Sequence, residues 1–165
     1  FSIHHEAHFK SALSMFKSNI LFGHGSKMFR QLCSENEHKY IIEKNIVKRS
    51  QPPLYFSSES GCSTHPHHFY IQILAENGIF GFLFLISIFL YFCKNLINHI
   101  RNKFYLFNSK FFPLFIINIS LIIIFNPLLP SMNLYNNWLS IIIYTYLGFY
   151  LVFNEKLKVS NLKNA

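Results

Sequence analysis

Residues 64–93 read THPHHFYIQILAENGIFGFLFLISIFLYFC. The stretch opens with three histidines in five residues, and its last fifteen residues, Ile79–Cys93, carry no charge. Pro66 suits the first turn of a helix, where its missing N–H is not needed. The stretch therefore predicts one uninterrupted helix from Pro66 into a bilayer. A histidine cluster where such a helix enters the membrane indicates chemistry at a membrane surface.

The composition agrees with a membrane protein, since 51% of the 165 residues are hydrophobic and 13% are charged. Ile79–Cys93 is one of three apolar stretches, and the others are Phe111–Phe125 and Trp138–Phe153. Each is shorter than the ~20 residues that span a bilayer, but each has apolar neighbours that can extend it. The sequence predicts an all-α polytopic membrane protein with about three transmembrane helices, at residues 71–93, 111–129 and 134–153.

Charge predicts the orientation of these helices. Residues 94–110 and 154–165 are basic, whereas Asn126–Asn137 carries no charge. Basic segments stay in the cytoplasm, so residues 1–77 are expected to form a helical periplasmic loop and 78–165 the spans with a cytoplasmic tail. The net charge of +8 then reflects topology, and no nucleic-acid partner is expected. Because the chain starts at a phenylalanine, we expect it to be part of a larger multi-span protein.

The predicted external region, 1–77, has local structure of its own. Apolar residues at helical spacing, Phe9, Leu13, Phe16 and Ile20, predict an amphipathic helix over 4–22 that ends at Gly23. Residues 34–61 are expected to form a polar loop. Cys33 and Cys62 flank this loop, and an oxidising compartment would let them pair as a disulfide.

The predicted start of the membrane helix suits an anion. If Pro66 opens the helix, His67 and His68 lie in its first turn, where free N–H groups and the helix dipole favour negative charge. The same field keeps an imidazole neutral, so that His67 can act as a base. His68, Gln72 and Glu76 follow one another at intervals of four residues and share a helix face.

These residues also carry a resemblance to a known family. His67, His68, the nine residues Phe69–Asn77, Gly78 and Gly81 resemble the pattern of the O-antigen ligase and polymerase family. In that pattern a histidine is followed by Asn, Ser or Gln, then by nine residues, a glycine, two residues and a second glycine. His68 stands where the pattern has Asn, Ser or Gln. The upstream segment from Gly23 through Arg30 resembles the family's entry to its large periplasmic loop.

The resemblance implies a multi-pass glycosyltransferase of the bacterial inner membrane that needs neither cofactor nor metal. It would move a glycan, with inversion, from an undecaprenyl-diphosphate carrier to a sugar hydroxyl of lipid A–core or of another glycan, in contact with membrane lipids. His67 takes the catalytic position. The residues predicted to bind substrate are Arg30, Arg49, His65, His68, Gln72 and Glu76.

Two other interpretations remain open. A zinc site could be formed by Cys62, His65, His67 and His68, together with His4, His5 and His8. Pro66, however, separates His65 from His67 and splays their rings. Alternatively, the chain could be a transporter subunit in which His67 and Glu76 relay protons, because an acidic residue beside a span often marks an ion path.

Overall fold

The computed structural model describes residues 2–35, 37–43, 46–49, 62–101, 112–129, 133 and 135–163. The chain divides into two units, Phe1–Phe84 with Leu128–Asn136, and Leu85–Pro127 with Asn137–Ala165. The elements in chain order are α1 (Ile3–Ser18), α2 (Phe29–Leu32), β1 (Tyr40–Glu43), β2 (Ile46–Arg49), α3 (Phe69–Arg101), α4 (Phe112–Ile124) and α5 (Asn137–Lys163).

Two features of the sequence stabilise the N-terminal end of helix α1. The Ser2 side chain accepts a hydrogen bond from the backbone N–H of His5, and Glu6 adds an acid to the first turn, both of which stabilise a helix N-terminus. The helix ends at Ser18, so the predicted end at residue 22 is wrong. The predicted apolar face is also wrong. Leu13 and Ile20 are exposed, and the buried residues are Ala7, His8, Ser11, Ala12 and Met15.

A β-hairpin corrects the all-α expectation, although most of the described chain is helical. Strands β1 and β2 pair antiparallel, with Tyr40 opposite Arg49 and Ile42 opposite Val47. Ile42 and Val47 pack with Ala7 of α1 in a small buried cluster. The hairpin lies inside the predicted polar loop 34–61. Apolar side chains on one face of its strands explain why it folds against α1.

Helix α3 begins later than Pro66 predicts. The carbonyl of His68 accepts the first helical hydrogen bond, from Gln72 N–H at 2.9 Å, so His68 occupies the cap position and Phe69 is the first helical residue. His67 therefore lies outside the first turn, contrary to prediction. Its φ of 58° places its backbone in the left-handed region instead.

Gly78 interrupts α3, which corrects the expectation of an unbroken helix. Its φ of 67° and ψ of −162° are non-helical, and this combination is open essentially to glycine alone. A Cβ at Gly78 would lie 2.3 Å from the Leu21 carbonyl oxygen. Glycine thus permits both the kink and the close approach of the turn that follows α1.

The turn after α1 supplies the hydrogen bonds that the kink removes from α3. Backbone N–H groups of His24 and Gly25 donate to the carbonyls of Ala75 and Glu76, at 3.2 and 2.8 Å. The N–H of Ile79 donates in turn to the Ile20 carbonyl at 2.8 Å. Because buried backbone groups need partners, these three bonds fix the turn against the kink.

The membrane prediction is met in part. Of the helices that the structure describes, α3 is long and apolar enough to cross a membrane, with 33 residues, whereas the apolar α4 has 13. Three spans, their periplasmic and cytoplasmic sides, and the division at residue 77 remain predictions.

The second unit has its own aromatic packing. Tyr150 of α5 contacts Phe92 of α3 edge to face, with ring centroids 5.1 Å apart. The Asn95 side-chain amide donates to the Tyr150 hydroxyl at 2.6 Å. On α4, Leu114, Asn118 and Leu121 are buried, and this unit contributes none of the candidate site residues.

Candidate active site

Four histidine rings lie close together just before the N-terminal end of α3. The His67 ring lies 4.4 Å from that of His65, centroid to centroid. It also lies 5.5 Å from the ring of His5 and 5.5 Å from that of His8. His5 and His8 come from one face of α1, so the fold brings α1 against the segment that precedes α3. We call His5, His8, His65 and His67 the histidine cluster.

Local hydrogen bonds orient the segment that carries His65 and His67. The Ser63 hydroxyl donates to the His65 carbonyl, and the Thr64 hydroxyl lies 3.0 Å from Nδ1 of His65. His67 follows in the left-handed conformation. A residue other than glycine in this region costs about 1–3 kcal/mol, and such residues concentrate at functional sites.

The cluster disfavours protonation of its members. Burial lowers the pKa of the His67 imidazole below its ordinary value, and the charge of protonated His5 lowers it further. Burial also lowers the pKa of His65, followed by the charges of His67 and His8. Neutral imidazole can accept a proton, so near pH 7 His67 is in the form that a general base requires.

The charge of His5 can be tested by His5→Gln. Removing it should raise the pKa of His67, because protonated His67 then meets less repulsion, but burial should keep that pKa below its ordinary value. An NMR titration of the His67 ring would measure the change. Exposed His4 lies outside the cluster and offers a matched control, so His4→Gln should leave the titration unchanged. An unchanged His67 titration in His5→Gln would show that the two rings are not coupled.

A cationic cavity of about 340 Å³ lies beside the histidine cluster. Its walls include Lys27, Arg30, Thr64, His65, Asn133, Tyr135 and Asn136. This volume is within the range of small-molecule sites, ~300–1,000 Å³. Within the described ranges, the one salt bridge joins Lys10 to Glu6, so no carboxylate there neutralises Lys27 or Arg30. The cavity therefore favours an anionic ligand.

Polar contacts hold Asn133 and Tyr135 of the cavity wall in place. The Tyr135 hydroxyl donates to the Asn77 side-chain oxygen and accepts from the Ser26 hydroxyl at 3.3 Å. The side-chain oxygen of Asn133 accepts from the Tyr135 N–H at 2.9 Å and from the Gln72 amide at 3.0 Å. Gln72 therefore supports the cavity wall indirectly, through its hydrogen bond to Asn133.

Glu76 positions the segment that carries the cations. Its carboxylate is fully buried and accepts a hydrogen bond from the Phe29 N–H at 2.9 Å and one from the Gln72 amide at 3.2 Å. Phe29 lies between Lys27 and Arg30 in the chain. The carboxylate therefore fixes the backbone from which both cations extend.

A disulfide ties this segment to the histidines. The structure joins Cys33, which follows α2, to Cys62, with their Cα atoms 5.2 Å apart across a sequence separation of 29. A closed loop of this length restricts the unfolded chain and stabilises the fold by roughly 3–4 kcal/mol. The bridge lies within one turn of Arg30 on one side and within three residues of His65 on the other.

The structure brings some of the predicted site residues together. Arg30 and His65 line the cavity, and His67 contacts His65. The side chains of His68, Gln72 and Glu76 are buried, which favours supporting roles over direct contact with substrate. Arg49 ends β2, and its side chain lies outside the described part of the structure. The substrate-binding role of each residue remains a prediction.

Several site residues escaped the sequence reasoning. Lys27 stands in no motif that marks a ligand, and its φ of 65° gives no signal in the sequence. His5 and His8 entered only the zinc interpretation. In the part of the chain that the structure describes, no three His, Cys, Asp or Glu side chains are arranged to hold a metal ion. Cys62 is in the disulfide and offers no thiolate.

Comparisons with known proteins give one match. Residues 6–86 match the family model described as O-antigen ligase. The matched range includes most of α1, three of the four cluster histidines, both cations of the cavity and the Gly78 kink. No curated protein and no solved structure matches the chain.

Proposed function

We propose, since residues 6–86 match the model of the O-antigen ligase family, that this chain transfers a glycan from a lipid-linked diphosphate to a sugar hydroxyl. Members of the family are membrane-embedded. The observation that carries the proposal is the cationic cavity, because its Lys27 and Arg30 lie beside the paired rings of His65 and His67.

The diphosphate of the donor would occupy the cavity. A diphosphate carries several negative charges, and a guanidinium can bind two phosphate oxygens through parallel hydrogen bonds. Arg30 and Lys27 would offset this charge as it increases on the leaving group. The lipid of the donor, which we take to be undecaprenyl, would remain in the bilayer.

His67 would act on the acceptor. Its neutral imidazole would take the proton of the attacking sugar hydroxyl, whose oxygen forms a bond to the anomeric carbon of the donor. The bond from that carbon to the diphosphate oxygen then breaks, and the carrier diphosphate leaves with the electron pair. Attack opposite the leaving group inverts the anomeric carbon. In this scheme no metal takes part.

The acceptor defines two forms of the reaction. A sugar of lipid A–core would make the protein a ligase, and a second carrier-linked glycan would make it a polymerase. A transfer assay with purified protein and a lipid-linked glycan, offering each acceptor in turn, would distinguish them. Absence of transfer to either acceptor would contradict the proposal.

The transporter alternative has less support from the geometry. A relay from His67 to Glu76 needs a carboxylate that exchanges protons, but both Glu76 oxygens accept hydrogen bonds from groups of the fold. Proton-coupled uptake in vesicles, with no transfer activity, would favour the transporter.

The cavity predicts a specific defect in donor binding. Arg30→Ala should raise KM for the lipid-linked donor by roughly 10–100-fold, because a lost hydrogen bond to a charged group costs about 1.5–3 kcal/mol. Lys27→Ala should act in the same direction. Initial rates against donor concentration would measure both.

Lys10→Ala is the matched control for that series. It removes the same charge from α1, where Lys10 pairs with Glu6 on the surface and does not line the cavity. Its KM should stay close to that of the wild type. Equal effects of Lys10→Ala and Arg30→Ala would show that general charge, rather than the cavity, attracts the donor.

A further inference from the structure

Three consecutive apolar residues are exposed in the turn after α1. Ile20 and Leu21 are each about half exposed, and Phe22 is 70% exposed. Soluble surfaces seldom present consecutive large apolar side chains, and such patches mark binding surfaces. The Ile20 carbonyl is fixed by a hydrogen bond from the Ile79 N–H, so the backbone of the turn is held against the α3 kink while these side chains remain exposed.

An exposed apolar face of α3 continues this surface. Phe80, Leu83 and Phe84 lie within five residues on the helix and are each more than half exposed. Their spacing of three and four residues puts them on one face. They belong to the helix that is apolar enough to cross a membrane.

Direct contacts join the turn to this face. The rings of Phe22 and Phe80 lie 5.5 Å apart, and the Ile79 N–H donates to the Ile20 carbonyl at 2.8 Å. Gly78 allows the Leu21 carbonyl to approach more closely than a Cβ would permit. The turn and the start of the apolar segment therefore form one surface.

We propose that the Ile20–Phe22 turn inserts into the bilayer beside α3 as a lipid-binding anchor. Its occupant is the acyl region of membrane lipids, because the surface is continuous with the apolar face of a helix that is long and apolar enough to span them. Exposed Lys17 and Lys27 flank the turn on either side in the sequence. This arrangement of apolar residues between lysines is typical of interfacial segments, whose lysines reach lipid phosphates.

The anchor extends the proposed function but does not depend on it. An inserted turn would hold the segment after Gly25, and with it Lys27 and Arg30, at a fixed depth near the lipid phosphates. The apolar surface would bind lipid whatever reaction the chain performs. Loss of transfer activity and loss of insertion are therefore separate results.

Tryptophan fluorescence can test the anchor. The chain has one native tryptophan, so Trp138→Phe gives a silent background for Phe22→Trp. The probe is the protein reconstituted in phosphatidylcholine–phosphatidylglycerol vesicles, with and without phosphatidylcholine brominated on its acyl chains. The new tryptophan should emit at shorter wavelength than in water and lose most of its fluorescence to the brominated lipid.

Leu13→Trp in the same background is the matched control. Leu13 is also an exposed apolar residue of α1, but it lies two turns before the anchor and should escape quenching. Water-like emission at position 22 would overturn the proposal. So would short-wavelength emission without quenching, because another protein segment or a second copy would then cover the turn.

Discussion

Replacing His67 with alanine should lower glycan transfer by at least ~100-fold, the usual scale for the loss of a general base. From the resemblance of the surrounding residues, we expect His67 to take the position of the family's histidine. Its imidazole is held neutral by burial and by His5, and its ring contacts His65 at the edge of the cationic cavity. The rate of transfer from a purified lipid-linked glycan, at saturating donor and acceptor, would measure the loss.

The controls separate catalysis from folding. His67→Ala should insert and form the Cys33–Cys62 disulfide like the wild type, since its side chain is only partly buried. His4→Ala, which removes an exposed histidine outside the cluster, should retain the full rate. His65→Ala should have a smaller effect than His67→Ala. Full activity of His67→Ala, or loss of wild-type activity in chelator, would refute the mechanism and favour the zinc interpretation.

Gly78→Val should abolish correct folding of the first unit. The backbone at Gly78 suits glycine alone, and any Cβ would overlap the Leu21 carbonyl. Strain of this kind costs about 1–3 kcal/mol by itself, and separating the turn from α3 would also break three backbone hydrogen bonds. We expect low yield, a lower melting temperature in detergent and rapid proteolysis of the first unit.

Gly148 offers the contrasting site. It lies inside α5, and an added Cβ would meet nothing within 4 Å. Gly148→Ala should leave stability unchanged or raise it by up to ~1 kcal/mol, because alanine is the better helix former. Equal stability of Gly78→Val and Gly148→Ala would contradict the described kink.

The sequence predicted the apolar character of α3 but not its shape. The histidine and the two spaced glycines drew attention to His67 and Gly78, and the uncharged run indicated the apolar helix. The kink could not be predicted, because its hydrogen-bond partners His24 and Gly25 come from a distant segment. Local propensity gives no information about such long-range pairing.

The buried face of α1 also depends on contacts with distant segments, and periodicity did not predict it. Periodicity favoured the large residues Phe9, Leu13 and Phe16, yet Ala7, Ser11 and Ala12 are buried. Small side chains allow the hairpin and α2 to approach α1 closely. The hairpin itself was missed, because its strands have four residues each and depend on this packing. The gathering of His5 and His8 beside His67 follows from the same packing.

The disulfide has a consequence for the order of maturation. Its formation requires an oxidant, which the cytosol does not supply to most proteins. A newly made chain therefore lacks the covalent link between α2 and the segment of Thr64 and His65 until Cys33 and Cys62 meet an oxidising environment. The segments that carry Arg30 and His65 are then joined covalently only after synthesis, so the anion cavity is fully held in place once the chain has met an oxidant.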